Sequence, residues 1–254
     1  MVVFVGSILA LAIGSALSVL ADAPETWRGL FRSRSRCSHC GHALGIADLI
    51  PIVSFLALRG RCRYCRKPIP WWHLATEIGC LLLFLAAYAQ GIRGADLPLV
   101  TAALIILFAL AIVDLRFWIL PDVLVGLLAL VGILRSAVVL FPTLPEAVSG
   151  GVLGLVLLGG LAVVSRERAM GWGDVKLAGA MGLVLGWKGL LLALAVAFVA
   201  GGLIGGILIL SRRASMKSHV PFGPFLAGAT AFLLLWPELL MYAGDTWRMI
   251  VGLS

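Results

Sequence analysis

Of 254 residues, 61% are hydrophobic and only 13% are charged, with a mean hydropathy of +1.08. Soluble domains are about 45–50% apolar and about 25% charged, so a soluble enzyme, a disordered tail and a nucleic-acid module are excluded. The net charge of +8 therefore points to basic loops beside anionic lipid rather than to a nucleic-acid partner.

A helix needs roughly 20 apolar residues to cross the hydrocarbon, and fewer where neighbours shelter it. Eight spans are predicted in chain order: Val2–Ala21, Leu74–Gln90, Pro98–Val113, Val123–Leu140, Val148–Val164, Val175–Trp187, Leu190–Leu210 and Phe222–Tyr242. The first lacks a small-residue cleavage site after a short apolar core and reads as a retained span, not a removed signal peptide. The sixth is short, as if tilted or sunk in the bundle. GxxxG spacing at Gly150/Gly154, Gly182/Gly186 and Gly201/Gly205 is expected to serve close helix packing. No segment alternates with period two, which excludes a β-barrel. The expected fold is all-α, a polytopic membrane bundle of about eight transmembrane helices with a small cytoplasmic domain. Residues 1–21 form the first span, 22–72 the polar domain and 73–254 the rest of the bundle.

Positive charge orients that bundle. Arg28, Arg32, Arg34, Arg36, Arg59, Arg61, Arg63, Arg66, Lys67, Arg116, Arg166, Arg168, Lys176, Arg212, Arg213 and Lys217 fall on one side of the eight-span arrangement. Arg93, Arg135, Lys188 and Arg248 fall on the other. The crowded side is cytoplasmic by the positive-inside rule, and both termini lie outside.

The polar domain carries Cys37-Ser-His-Cys40 and Cys62-Arg-Tyr-Cys65. Two CxxC knuckles at this separation suit a closed four-cysteine zinc site. The segment is too small for its own core, so a metal would supply much of its folding energy. Thiol redox chemistry is the alternative, and a reducing cytoplasm weighs against it. His39 and His42 read as bystanders, and Cys80 as a small core residue.

Acids at membrane depth are costly and are functional candidates. Glu77, Asp114, Asp122 and Asp174 qualify. Asp114 ends the third span and Asp174 begins the sixth, at one predicted depth. Singly, Asp114 is an exposed partner for Arg116 and Asp174 an N-cap. Together they form an aspartyl dyad that shares a proton, one group acting as base on water and the other donating to a scissile carbonyl. Gly171 and Gly173, lacking Cβ atoms, would let a substrate strand approach. Asp122 reads as an N-cap after Pro121, and Lys176 as a carboxylate partner or a headgroup contact. Pro221, Gly223 and Pro224 break the start of the last span beside the same face.

These residues together resemble the type IV prepilin peptidases. The resemblance is carried by the two knuckles with Leu58-Arg-Gly-Arg-Cys62-Arg-Tyr-Cys65, and by Asp114 followed by Leu120-Pro-Asp122. It continues in Gly171-Trp-Gly-Asp174-Val-Lys-Leu177 and in Pro221-Phe-Gly-Pro-Phe225, from about Gly14 to Phe225. It implies a GxGD-type membrane aspartic protease of the bacterial inner membrane, acting on prepilins or pseudopilins at the cytoplasmic face. Asp114 and Asp174 match the catalytic pair, with Gly171, Gly173, Asp122, Lys176, Pro221 and Gly223 around them. Cys37, Cys40, Cys62 and Cys65 match the zinc ligands. Many members also methylate the new N-terminus with S-adenosylmethionine, and Glu77 lies in the half linked with that step. Where the family has Gly-Ser-Phe-x-Asn-Val, this chain has Ala16 and Ser18 in place of Phe and Asn, a departure that bears on methyl transfer and not on proteolysis. From a different class, a zinc-stabilised transporter or assembly scaffold would use such acids as ion sites near the midplane.

Overall fold

The structure, a computed structural model, describes residues 1–20, 36–37, 39–166, 170–211 and 221–239. Arg28, Arg32, Arg34, Arg168, Arg212, Arg213, Lys217, Arg248 and the end of the eighth predicted span lie outside the described residues. The described residues are helical apart from turns and two isolated bridges. They divide into two compact units, Met1–Gly91 and Ile92–Ser254.

In the first unit, α1 (Val2–Leu20) packs against α3 (Trp71–Ala89). Glycine permits the approach: a Cβ on Gly14 would lie 2.8 Å from Cα of Glu77 and 3.2 Å from Cβ of Cys80. Between these helices lie a 3-10 turn, Ile46–Asp48, and the five-residue α2 (Val53–Ala57). Helix α3 therefore packs with α1 within this unit.

The second unit holds α4 (Asp96–Phe117), α5 (Asp122–Val138), α6 (Leu144–Val164), α7 (Trp172–Leu210) and α8 (Gly223–Leu235). Helix α7 packs on α5, α6 and α8, and α8 also packs on α4. The α6–α7 contact is backbone on backbone. A Cβ on Gly150 would lie 2.6 Å from the Gly182 carbonyl oxygen, and one on Gly154 would strike Ala178. The packing role expected of Gly150/Gly154 and Gly182/Gly186 is thus observed, and Gly201 meets the rings of Phe222 and Phe225. Among the described residues, nothing lies within 4 Å of where a Cβ on Gly205 would fall.

The sixth and seventh predicted spans are one helical run, α7, interrupted at Gly186. There φ is 73° and ψ 174°, a region essentially restricted to glycine. A straight helix of 39 residues would be about 58 Å long, nearly twice the hydrocarbon thickness. Helices α3, α4, α6 and α7 are long and apolar enough to cross a membrane, while α1 and α8 contain shorter apolar stretches. The molecule is a membrane protein.

Arg135 lies inside α5, 4% exposed. Its guanidinium forks onto Asp96 at the start of α4, with Nε–Oδ1 at 2.6 Å and Nη2–Oδ2 at 3.1 Å.

Candidate active site and metal centre

Asp114 sits in the last turn of α4 and is 7% exposed, so it is not the exposed partner of Arg116 that its position alone suggests. Its Oδ2 accepts the backbone N–H of Gly223 at 3.0 Å. The helix break at Pro221–Pro224 makes this possible, because Gly223 opens α8 and its N–H is unclaimed within that helix. Glycine leaves room for this approach, since a Cβ at 223 would lie 2.5 Å from that oxygen and something would have to shift.

Asp174 is half-buried in the first turn of α7. The N-cap of α7 is Gly171, so Asp174 is the third helical residue and not the cap expected of it. The two carboxylates lie within electrostatic reach of each other. Helix α8 bridges them by packing on both α4 and α7.

Leu120, in the linker between α4 and α5, fills the space beside both glycines of this site. Its Cβ is 3.2 Å from where a Cβ on Gly173 would fall, and its Cδ2 is 3.2 Å from the same point on Gly223. The missing side chain of Gly173 thus admits Leu120. Gly171 is exposed, and among the described residues a Cβ there would meet only Asp174 Oδ2, at 3.9 Å. From the sequence, Leu120 figures only as part of the motif Leu120-Pro-Asp122, with no role of its own.

Asp122 is the first residue of α5, and the N-cap is Pro121, so the capping role is not observed. Its Oδ1 instead pairs with Lys176 Nζ at 2.7 Å, both side chains being at least half exposed. Lys176 is two residues beyond Asp174, about 200° round the helix, so this pair faces away from the carboxylates.

Glu77 is 8% exposed in α3, and its Oε2 accepts the backbone N–H of Ile52 at 2.7 Å.

The four knuckle cysteines come together. Their sulfurs all lie within 4.8 Å of one another, with Cys37 and Cys65 3.9 Å apart. A tetrahedral site with Zn–S of about 2.3 Å has S–S edges of about 3.8 Å, so the donor set fits a metal ion. Each knuckle closes in the same way. Cys37 N–H donates to the His42 carbonyl and Gly41 N–H to that of Cys37, while Cys62 and Arg66 repeat the pattern with Lys67 and Cys62. The ring of His42 lies 3.6 Å from that of Tyr64, joining the knuckles outside the sulfur set. The backbone N–H of Cys40 stabilises the Cys37 thiolate and holds this thiol down at about 7. At Cys65 the Lys67 N–H acts in the same sense, but desolvation and the neighbouring sulfurs push the thiol up to about 11. Four thiolates in one cluster need a cation. The group could hold a metal ion.

Residues 8–90 match the family model of the bacterial peptidase A24 N-terminal domain, and residues 101–206 that of the type IV leader peptidase family. The chain is 34% identical over 217 residues to a protein of Stutzerimonas stutzeri, covering 82% of this chain and 74% of the relative. It is 35% identical over 211 residues to one of Pseudomonas putida (80% and 72%) and 32% over 231 residues to one of Pseudomonas aeruginosa (88% and 78%). All three are named prepilin leader peptidase/N-methyltransferase. No solved structure matches the chain. With both family domains in order and relatives matched over most of their length, the chain belongs to the type IV leader peptidase family.

Proposed function

We propose that this protein is a membrane aspartic endopeptidase that removes the short basic leader of type IV prepilins or pseudopilins, with Asp114 and Asp174 as its catalytic pair. The observation that carries the assignment is the burial of Asp114 against the Gly223 N–H, within reach of Asp174. One carboxylate takes a proton from water as the water oxygen attacks the scissile carbonyl carbon. The other donates a proton to the carbonyl oxygen. Collapse of the diol, with a proton passed to the amine, breaks the C–N bond without a covalent intermediate. The Gly223 N–H fixes the Asp114 carboxylate, and Leu120 holds the backbone of the GxGD turn beside it.

In this reading the chain crosses the inner membrane eight times, the two limbs of α7 counting separately. The active site and the 22–72 domain face the cytoplasm, both termini lie outside, and residues 73–254 complete the bundle. Cys37, Cys40, Cys62 and Cys65 hold one structural zinc ion, which ties the knuckles together. The names of the relatives support a second step, S-adenosylmethionine-dependent methylation of the new N-terminus. The relatives' printed activity fits a leader peptidase better than a transporter, and the placement of the two aspartates at helix termini agrees.

The test is leader cleavage of a prepilin in membranes. Asp114→Asn and Asp174→Asn should each lower turnover by about 10²–10⁴-fold, because neither group performs both proton transfers. Asp122→Asn should cost less than about fivefold, since an exposed ion pair contributes only about 0.2–1 kcal/mol. Near-normal cleavage by either of the first two variants would sink the assignment.

A further inference from the structure

Glu77, in α3, has no part in the proteolysis described above. Its partner, Ile52, belongs to the stretch Leu49-Ile-Pro-Ile-Val-Ser-Phe-Leu-Ala-Leu58, which carries no charge. Helix α2, at the centre of this stretch, buries none of its residues. Ile50, Val53 and Leu56 are 45%, 59% and 63% exposed. Such a patch suits a lipid or protein surface and not water.

The position of the patch identifies the lipid. Glu77 is six residues into α3, about 9 Å along the helix from Trp71. Helix α3 is one of the helices able to cross a membrane. The bond from Ile52 to Glu77 therefore hangs the start of α2 beside the second turn of a helix long and apolar enough to span a membrane. Ile52 turns its backbone to a φ of 61° as it makes that bond. Exposed Trp71 and Tyr64 lie in the same unit, and aromatic side chains of this kind settle at headgroup level. Exposed Arg59, Arg61, Arg66 and Lys67 follow the apolar stretch directly. Arg63 is engaged by Asp48 at 2.7 Å. A neutral apolar segment bordered by aromatic rings and cations has the chemistry of an interfacial anchor on an anionic bilayer.

We infer that residues 49–58 form a membrane-surface anchor, immersed in the apolar edge of the bilayer beside α3, with Arg59, Arg66 and Lys67 on lipid phosphates. Glu77 is its tether. The anchor holds the metal-binding knuckles against the membrane and does not depend on the peptidase reading.

The experiment uses the full chain in bilayers of phosphatidylcholine and phosphatidylglycerol. A photo-reactive p-benzoylphenylalanine is placed singly at Val53, Leu56 and, as a control, Arg61; an unchanged melting temperature verifies folding. Lipid adducts at Val53 and Leu56 should exceed those at Arg61 at least about tenfold. Phosphatidylglycerol should be enriched several-fold in them, and Arg59→Gln/Arg66→Gln/Lys67→Gln should return its share to that of the bulk lipid. Adducts to this chain, to a second copy or to another protein overturn the anchor, as does lipid yield no greater than at Arg61. Bulk lipid composition in the adducts of the unsubstituted protein overturns the phosphate contact.

Discussion

A carboxylate at the end of an apolar bundle must find its donors in the backbone, and Asp114 finds one in another helix. Gly223→Ala tests that arrangement. The added methyl would lie 2.5 Å from Asp114 Oδ2, so either α8 or the carboxylate has to move. Overpacking of this kind costs about 1–3 kcal/mol of stability. Leader cleavage should fall at least about tenfold in a protein that still melts cooperatively, and full activity in Gly223→Ala would show that the Gly223 bond does not position Asp114. The same geometry explains what was legible at this scale. Asp114, Asp174 and the glycines stood out because charge and chain breaks are scarce in this sequence. Leu120 stood out only within the Leu120-Pro-Asp122 motif, and its place between two glycines was not legible, because a leucine's contacts in an apolar chain leave no signature until its neighbours are seen in space. Asp122 was misread for a related reason: a Pro-Asp pair satisfies the local rule for a helix start, and only the fold brings Lys176 to it.

Among the elements, the glycine stripes set the distance between helices. Gly150, Gly154 and Gly182 place the backbone of α6 directly on that of α7, and Gly132 does the same for α5 against Leu183. The limb of α7 that carries Asp174 is therefore held on two sides by backbone, a mode suited to lipid, where burial from water supplies no drive between helices. Gly150→Leu should force α6 away from α7. We expect a fall in thermal stability in detergent together with loss of cleavage, while the metal content of the knuckles stays at one ion per chain. A variant with unchanged melting and activity would mean that the close approach is not needed. Helix positions were legible from apolar length alone, but the joining of two predicted spans into α7 was not. Lys188-Gly189 falls between the two predicted spans. Hydropathy does not distinguish a loop from a helix bent at one glycine, and Gly186 supplies the bend through a backbone conformation that leaves no trace in composition.

At the level of the whole molecule, the two units rest on different physics. The second is an interlocked helical core. In the first, Cys62 is the only buried residue among the described residues from 36 to 70. Turns, two bridges and the stack of His42 on Tyr64 do not make a core, so the sulfur cluster has to supply the cohesion. Apparent binding free energies of structural zinc are about 10–16 kcal/mol, ample to order such a segment. All four sulfurs must be thiolates to bind the ion, so binding releases protons and affinity falls as the pH is lowered. Cys62→Ser, or chelation in mild acid, should release the metal and raise hydrogen exchange at the amides of Cys37, Gly41, Cys62 and Arg66 by at least about a hundredfold. Those N–H groups close the two knuckles. Exchange across α6 and α7 should stay unchanged, because their packing does not involve the sulfurs. Metal content by elemental analysis and exchange by mass spectrometry read both halves of the expectation. Slow exchange at the four amides in a metal-free protein would show that the knuckles fold without an ion. Faster exchange throughout α6 and α7 would show that the two units fold as one.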